Sequence, residues 1–167
     1  GKVELADAAS TTSYTTLTNL LPEGETLTLS NAAAITTIYA GTGARRFLVN
    51  GPGDTIINSV IADGGGGAPI GLFYYGYGTG SLTLGAASTY SGDTTVSGGT
   101  LILGIANAIP SGSGKGNLVI NPTTGLSATI DLNGYSQTFN GVTATTIGTV
   151  LIDNSADLNA TRARSIE

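Results

Sequence analysis

Gly78-Thr79-Gly80-Ser81-Leu82-Thr83-Leu84-Gly85-Ala86-Ala87-Ser88-Thr89-Tyr90-Ser91-Gly92-Asp93-Thr94-Thr95-Val96-Ser97-Gly98-Gly99-Thr100-Leu101-Ile102-Leu103 is the stretch that decides the fold. Leu82 and Leu84 face one way and Thr83 the other, because successive side chains of a strand point to opposite faces. Leu101 and Leu103 repeat the pattern 19 residues later. Between them lie Thr94–Val96 and turn-forming residues. A recurrence near ~20 residues with period-two alternation is what stacked coils of a parallel β-solenoid require.

The rest of the chain reads as strands too. Val3–Leu5, Thr26–Leu29, Ala34–Tyr39, Phe47–Val49, Thr55–Ile57, Ser59–Ile61 and Leu72–Tyr75 precede the stretch. Leu118–Ile120, Ala128–Leu132, Ser136–Phe139 and Thr149–Ile152 follow it. Most are bounded by Gly, Asn, Asp or Pro. A helical period is weakest evidence everywhere; Ala6–Asn19 alone admits a short helix. An antiparallel sandwich competes, since Asn50-Gly51, Asn133-Gly134 and Asn140-Gly141 are hairpin signals. They serve equally as solenoid corners, where positive φ is needed. The recurrence favours the solenoid: one all-β domain over residues 1–167.

Composition bounds the core and the chemistry. Of 167 residues, 40% are apolar but only 6% aromatic, with no Trp or Met, so the core is aliphatic. Charged residues are 10%, against about a quarter in typical domains, and such a Thr/Ser/Asn-rich surface suits a secreted fibrous protein. The net charge of −5 and six scattered cations argue against nucleic acid. With no Cys and no His, disulfides, thiolate metal sites and histidine-based catalysis are excluded. No signal peptide or transmembrane run is visible, so no membrane insertion is expected of this segment. The start at Gly1 is expected of a processed or excised form.

Read as a unit, the motif resembles the autotransporter-associated β-strand repeat. The residues that carry the resemblance are Gly78, Gly80, Leu82, Leu84, Ser88, Thr89, Tyr90, Gly92, Thr94, Val96, Gly99 and Leu101, with the tail Asn107-Ala108-Ile109-Pro110-Ser111-Gly112. The best match spans 78–114. Ile57–Gly66 and Ile130–Phe139 fit more loosely. The resemblance implies a right-handed, single-stranded parallel β-helix in an exported, surface-associated protein, with no enzymatic activity and no cofactor. Leu82, Leu84, Val96, Leu101 and Leu103 are expected inside, and Tyr90 at a corner with its hydroxyl on water or backbone.

Few residues invite a sharper role. Tyr74, Tyr75 and Tyr77 cluster and could stack on sugar rings or form a subunit contact. Gly64–Gly67 and Gly76–Gly80 lack the Lys and following helix of a phosphate loop. Asp131 and Asp153 are 22 residues apart, so coil stacking could align them for Ca²⁺ or acid–base work. The nonapeptide pattern of calcium-binding β-rolls is absent. Asn159-Ala160-Thr161 is the one N-glycosylation triplet not blocked by proline.

The ends are the remaining feature. Val3 and Leu5 at one end, and Arg162, Arg164 and Ile166 at the other, read as strand fragments without a polar cap. Residues 1–25 hold four acids against one Lys, and Arg162 and Arg164 lie at the far end, which suits head-to-tail contact between copies. A segment cut from a longer solenoid is the other explanation. The expected function is a non-catalytic extracellular structural protein, a subunit of a bacterial surface fibre or matrix. The alternative is an adhesin or passenger segment binding glycans or a cell surface.

Overall fold

The computed structural model describes residues 4–5, 14–37, 41–77, 79–145 and 147–154. Its strands are β1 (Glu4–Leu5), β2 (Tyr14–Thr18), β3 (Thr26–Leu29), β4 (Thr36–Thr37), β5 (Arg45–Gly51), β6 (Asp54–Ile57) and β7 (Ile70–Gly76). They continue as β8 (Ser81–Leu84), β9 (Thr94–Val96), β10 (Gly99–Leu103), β11 (Leu118–Ile120), β12 (Ser127–Asp131), β13 (Val142–Ala144) and β14 (Thr149–Asp153). No helix occurs among the described residues.

Strands alternate between two six-stranded parallel sheets. Sheet I runs β2-β5-β7-β9-β11-β13, and sheet II runs β3-β6-β8-β10-β12-β14. Each coil lays one strand in sheet I, turns a short corner, lays one in sheet II, and returns by a longer arc. The all-parallel order removes the sandwich. Side chains alternate in and out along each strand, as β7 and β10 show by strictly alternating burial.

Inward residues stack in register into columns. Leu82 pairs Leu101, Leu101 pairs Ile130, and Ile130 pairs Ile152. In sheet I, Phe47, Leu72, Thr94, Leu118 and Val142 form another column. Burial of each large aliphatic side chain contributes about 1.5–3 kcal/mol. Leu82, Leu84, Val96, Leu101 and Leu103 all lie in this core.

The coil is longer than the motif suggests. Ser81 pairs Thr100, a step of 19, but Thr55 pairs Leu82 at 27, Gly99 pairs Ala128 at 29 and Tyr14 pairs Arg46 at 32. About five turns repeat at about 25 residues, not the roughly 20 the sequence implied. The reason is that register constrains only the strands; the arcs between them lengthen freely. The quoted motif happens to have the tightest arc.

The return arcs form a third face with little regular strand. Its ladder is completed by side-chain amides. Gln137 Nε2 donates to Ile109 O (2.9 Å), and Ile109 N donates to Gln137 Oε1 (3.1 Å). Asn140 clamps Gly112 in the same two-way fashion, donating to its O at 2.9 Å and accepting from its N at 2.7 Å. Each amide side chain thus imitates a strand backbone. This explains why the strand expected over Ser136–Phe139 is an arc. Ser59–Ile61 likewise reduces to one bridge, Ile35 to Ile61.

One further expectation is corrected, and one strand was not expected. Tyr14–Thr18 is a strand, not part of a helix, because Thr is β-branched and prefers a pleated surface. Val142–Ala144 is a strand that its exposed composition concealed. Asn133 (φ 49°) and Gly134 (φ 78°) do form a corner.

Candidate functional site

Tyr74 and Tyr75 are neighbours in sequence and separated by the whole thickness of a strand. Tyr74 points inward, is fully buried and donates its hydroxyl to Gly80 O at 2.6 Å. Burial, and then the Asp54 charge, push its phenol well above its ordinary value. It therefore offers nothing to a ligand, which corrects its place in the surface cluster. Tyr75 and Tyr77 do face outward, their rings meeting edge-on at 5.0 Å. Tyr77 is 52% exposed.

Tyr90 is also corrected. It is buried rather than capping a corner, and its hydroxyl bonds the Thr94 hydroxyl at 2.6 Å. Burial raises its pKa, with the Thr94 bond acting the other way. A chain this poor in aromatics thus places two tyrosines in its core, each with a polar partner.

The outer face of sheet I gathers what the sequence scattered. Thr16, Leu48, Phe73, Thr95, Val119 and Thr143 form a central column in register. On one side, Tyr14 pairs Arg46, and Arg46 pairs Gly71. On the other, Thr18 pairs Asn50, and Asn50 pairs Tyr75. A mixed rail, half threonine and half apolar, therefore runs along the solenoid between a column that carries Tyr14 and Arg46 and one that carries Asn50 and Tyr75.

Two grooves flank Phe73. One, of about 540 Å³, is lined by Tyr14, Arg46, Phe73 and Asp93, among others. Gly71 lines it too, and its lack of a side chain keeps the floor open: an added Cβ would sit 3.0 Å from Asp93 O. The second, of about 530 Å³, is lined by Phe73, Tyr75, Asn121, Pro122 and Ile147, among others. Asn50 Oδ1, on the rail beside Tyr75, is buried without a hydrogen-bond partner. Sequence reading found Tyr75 but missed Tyr14, Phe73 and Arg46, because only the step of 32 and then 25 residues brings them together.

The carboxylates mostly serve the backbone. Asp54 accepts from Ser81 N and Oγ, and Asp63 from Ile70 N, Ser91 N and Ser91 Oγ. Asp93 accepts from Asn117 N at 2.8 Å. Asp131 and Asp153 are in register on adjacent strands of sheet II, the alignment expected from their spacing. Asp131 is 5% exposed and accepts from Asn133 N at 2.7 Å. Burial chiefly raises its pKa, Asp153 raises it further, and the Asn133 amide opposes both. Among the described residues no group of three acidic side chains could hold a metal.

Leu5 pairs Thr37 in the short β1–β4 ladder. Val3, Asn159, Arg162, Arg164 and Ile166 lie outside the described residues.

The stack is a passenger-like parallel β-helix. Residues 77–103 match the family model described as passenger-associated-transport-repeat, so the chain carries an autotransporter-associated β-repeat. The matched span runs from just past β7 through β8 and β9 to the end of β10, one full coil and the sheet II strand of the next. The repeat points to a secreted or surface location and a structural passenger segment. No curated protein and no solved structure matches the chain.

Proposed function

We propose that this protein is a non-catalytic, extracellular structural element of a bacterial surface, extending by head-to-tail stacking of copies into a fibre or matrix. What supports the reading is the last described coil. Val142 and Ile152 continue the two inward columns, yet are 49% and 43% exposed. At the opposite end, Leu17 and Leu27 begin inward rows on β2 and β3 and are only half-buried. A parallel coil of a second copy would extend both sheets and both columns, as a heterologous, non-closing contact does. The absence of His and Cys, and the commitment of Asp54, Asp63 and Asp93 to backbone amides, support a scaffold over an enzyme. Sedimentation and negative-stain electron microscopy over rising concentration test it. Oligomers elongating along one axis, and shortened by Ile152→Asp, are expected. A strictly monomeric chain at high concentration overturns it.

A further inference from the structure

We propose that the outer face of sheet I is a binding track for a neutral linear polysaccharide. The inference is independent of fibre assembly, which engages the ends rather than this side. Four observations carry it. First, the outward-facing aromatics of the two sheets all lie here: Tyr14, Phe73 and Tyr75, with Tyr77 against Tyr75. The fold does not require them, since sheet II covers its outer face with Thr, Ile and Asp on the same backbone.

Second, the pattern is that of a pyranose chain. A sugar ring has an apolar face that stacks on an aromatic ring and an edge of hydroxyls that needs donors and acceptors. Here Phe73 and Tyr75 supply the apolar surface, and Arg46, Asp93 and Asn121 stand beside it in the two grooves. Third, the track is linear. Adjacent strands lie ~4.8 Å apart, so the face extends roughly 24 Å from β2 to β13, which suits a polymer better than a compact ligand. Fourth, of the two arginines that line the first groove Arg45 is buried, and the exposed Arg46 shares the groove with Asp93 in a chain of net charge −5, which disfavours an acidic polymer.

A peptide fits less well. The backbone groups of these inner strands are spent in the ladder, so a face offers no edge for strand addition. The rail is also one side chain wide and interrupted by grooves, unlike the continuous apolar centre of a standard protein interface.

Affinity electrophoresis of the full chain through gels containing glucan, mannan or xylan, with alginate as the acidic comparison, tests the proposal. Retardation by at least one neutral polysaccharide is expected. Tyr14→Ala and Tyr75→Ala should each weaken it about tenfold, and Ile102→Ala on sheet II should leave it unchanged. Melting curves confirm that the variants fold. If they do not, the wild-type protein decides: Tyr14 and Tyr75 ring resonances should shift when a neutral oligosaccharide of the retarding polymer is added. No retardation by any neutral polymer, retardation by alginate alone, variants that bind like wild type, or unmoved ring resonances would each overturn it. So would a Tyr75-dependent dimer. Sedimentation of the same samples reports fibre assembly separately.

Discussion

Sheet I and sheet II share one set of coils, one strand direction and the same inward packing, yet their outer faces differ in kind. Along sheet II the outward column reads Ile56, Thr83, Ile102, Asp131, Asp153. Along sheet I it reads Leu48, Phe73, Thr95, Val119, with Tyr14, Arg46 and Tyr75 alongside. β-branched residues suffice for a stable outer face. The aromatics of sheet I are therefore an addition to the scaffold, while Tyr74 and Tyr90 are part of it. The same residue type does two jobs, and within β7 only the parity of position separates Tyr74 from Tyr75.

The largest loss is expected at the corner that joins the sheets. Gly51 ends β5 with φ +125°, and an added Cβ would lie 1.9 Å from Asn19 O. That backbone cannot retreat, because Asn19 N donates to Asn50 O and Asn19 Nδ2 to Asp54 O. Gly51→Ala should cost about 4 kcal/mol or more, combining steric overlap with a disallowed φ, and unsettle both sheets together. Urea unfolding monitored by circular dichroism measures it. A loss below about 1 kcal/mol would mean the corner is slack.

Next in size are paired core truncations. Leu72→Ala in sheet I and Leu101→Ala in sheet II each remove a fully buried side chain from a stacked column. Both should cost about 2–5 kcal/mol. Similar losses would show that the sheets are equivalent inside and differ only outside. A loss confined to one would place the stability of the solenoid on that sheet.

A smaller effect separates the faces by pH. Asp131 has its pKa raised, first by burial and then by Asp153 in register beside it. Its ionised form is thus disfavoured in the fold. The stability it contributes is fully present below the ordinary aspartate range and lost as pH rises through the raised value. The melting temperature of wild type relative to Asp131→Asn should therefore fall as pH rises from acid to neutral. A difference independent of pH would show that Asp131 titrates alike in the folded and unfolded chain. No charged pair stands in register on the described part of sheet I, so its variants should show no such trend.

How much of this was legible beforehand follows from what a sequence can carry. Alternation is local, so β8, β9, β10 and β11 were readable from Leu82, Val96, Leu101 and Leu118. The Asp131–Asp153 alignment was readable because each follows an Ile/Leu run, and the runs themselves stack. Coil length was not, because the arcs obey no register. The sheet I face was not either: Tyr14 sits in a Thr-rich stretch that resembles weak helix, and Phe73 lies between a glycine-flanked strand start and Tyr74. Nothing local says which of Phe73, Tyr74 and Tyr75 points out. The amide clamps were hidden for a related reason. Gln137 and Asn140 act on Ile109 and Gly112, each 28 residues earlier, and a polar side chain in an arc gives no hint of a distant backbone partner.

The smallest expected change in stability is the one that isolates function. Tyr75→Ala and Ile102→Ala remove outward, part-buried side chains from sheets I and II respectively. Neither opens a cavity, since solvent takes the vacated space, so each should cost under about 1 kcal/mol. Thermal melting of the two variants should be nearly indistinguishable. A face kept for stability would make the aromatic loss much the larger, because its buried area is greater. A face kept for a ligand would make the two losses alike in the free protein and unlike only when the polysaccharide is present. Comparing the two melting shifts with and without a retarding polymer therefore separates these explanations: stabilisation by binding follows mass action and should be retained by Ile102→Ala and reduced by Tyr75→Ala.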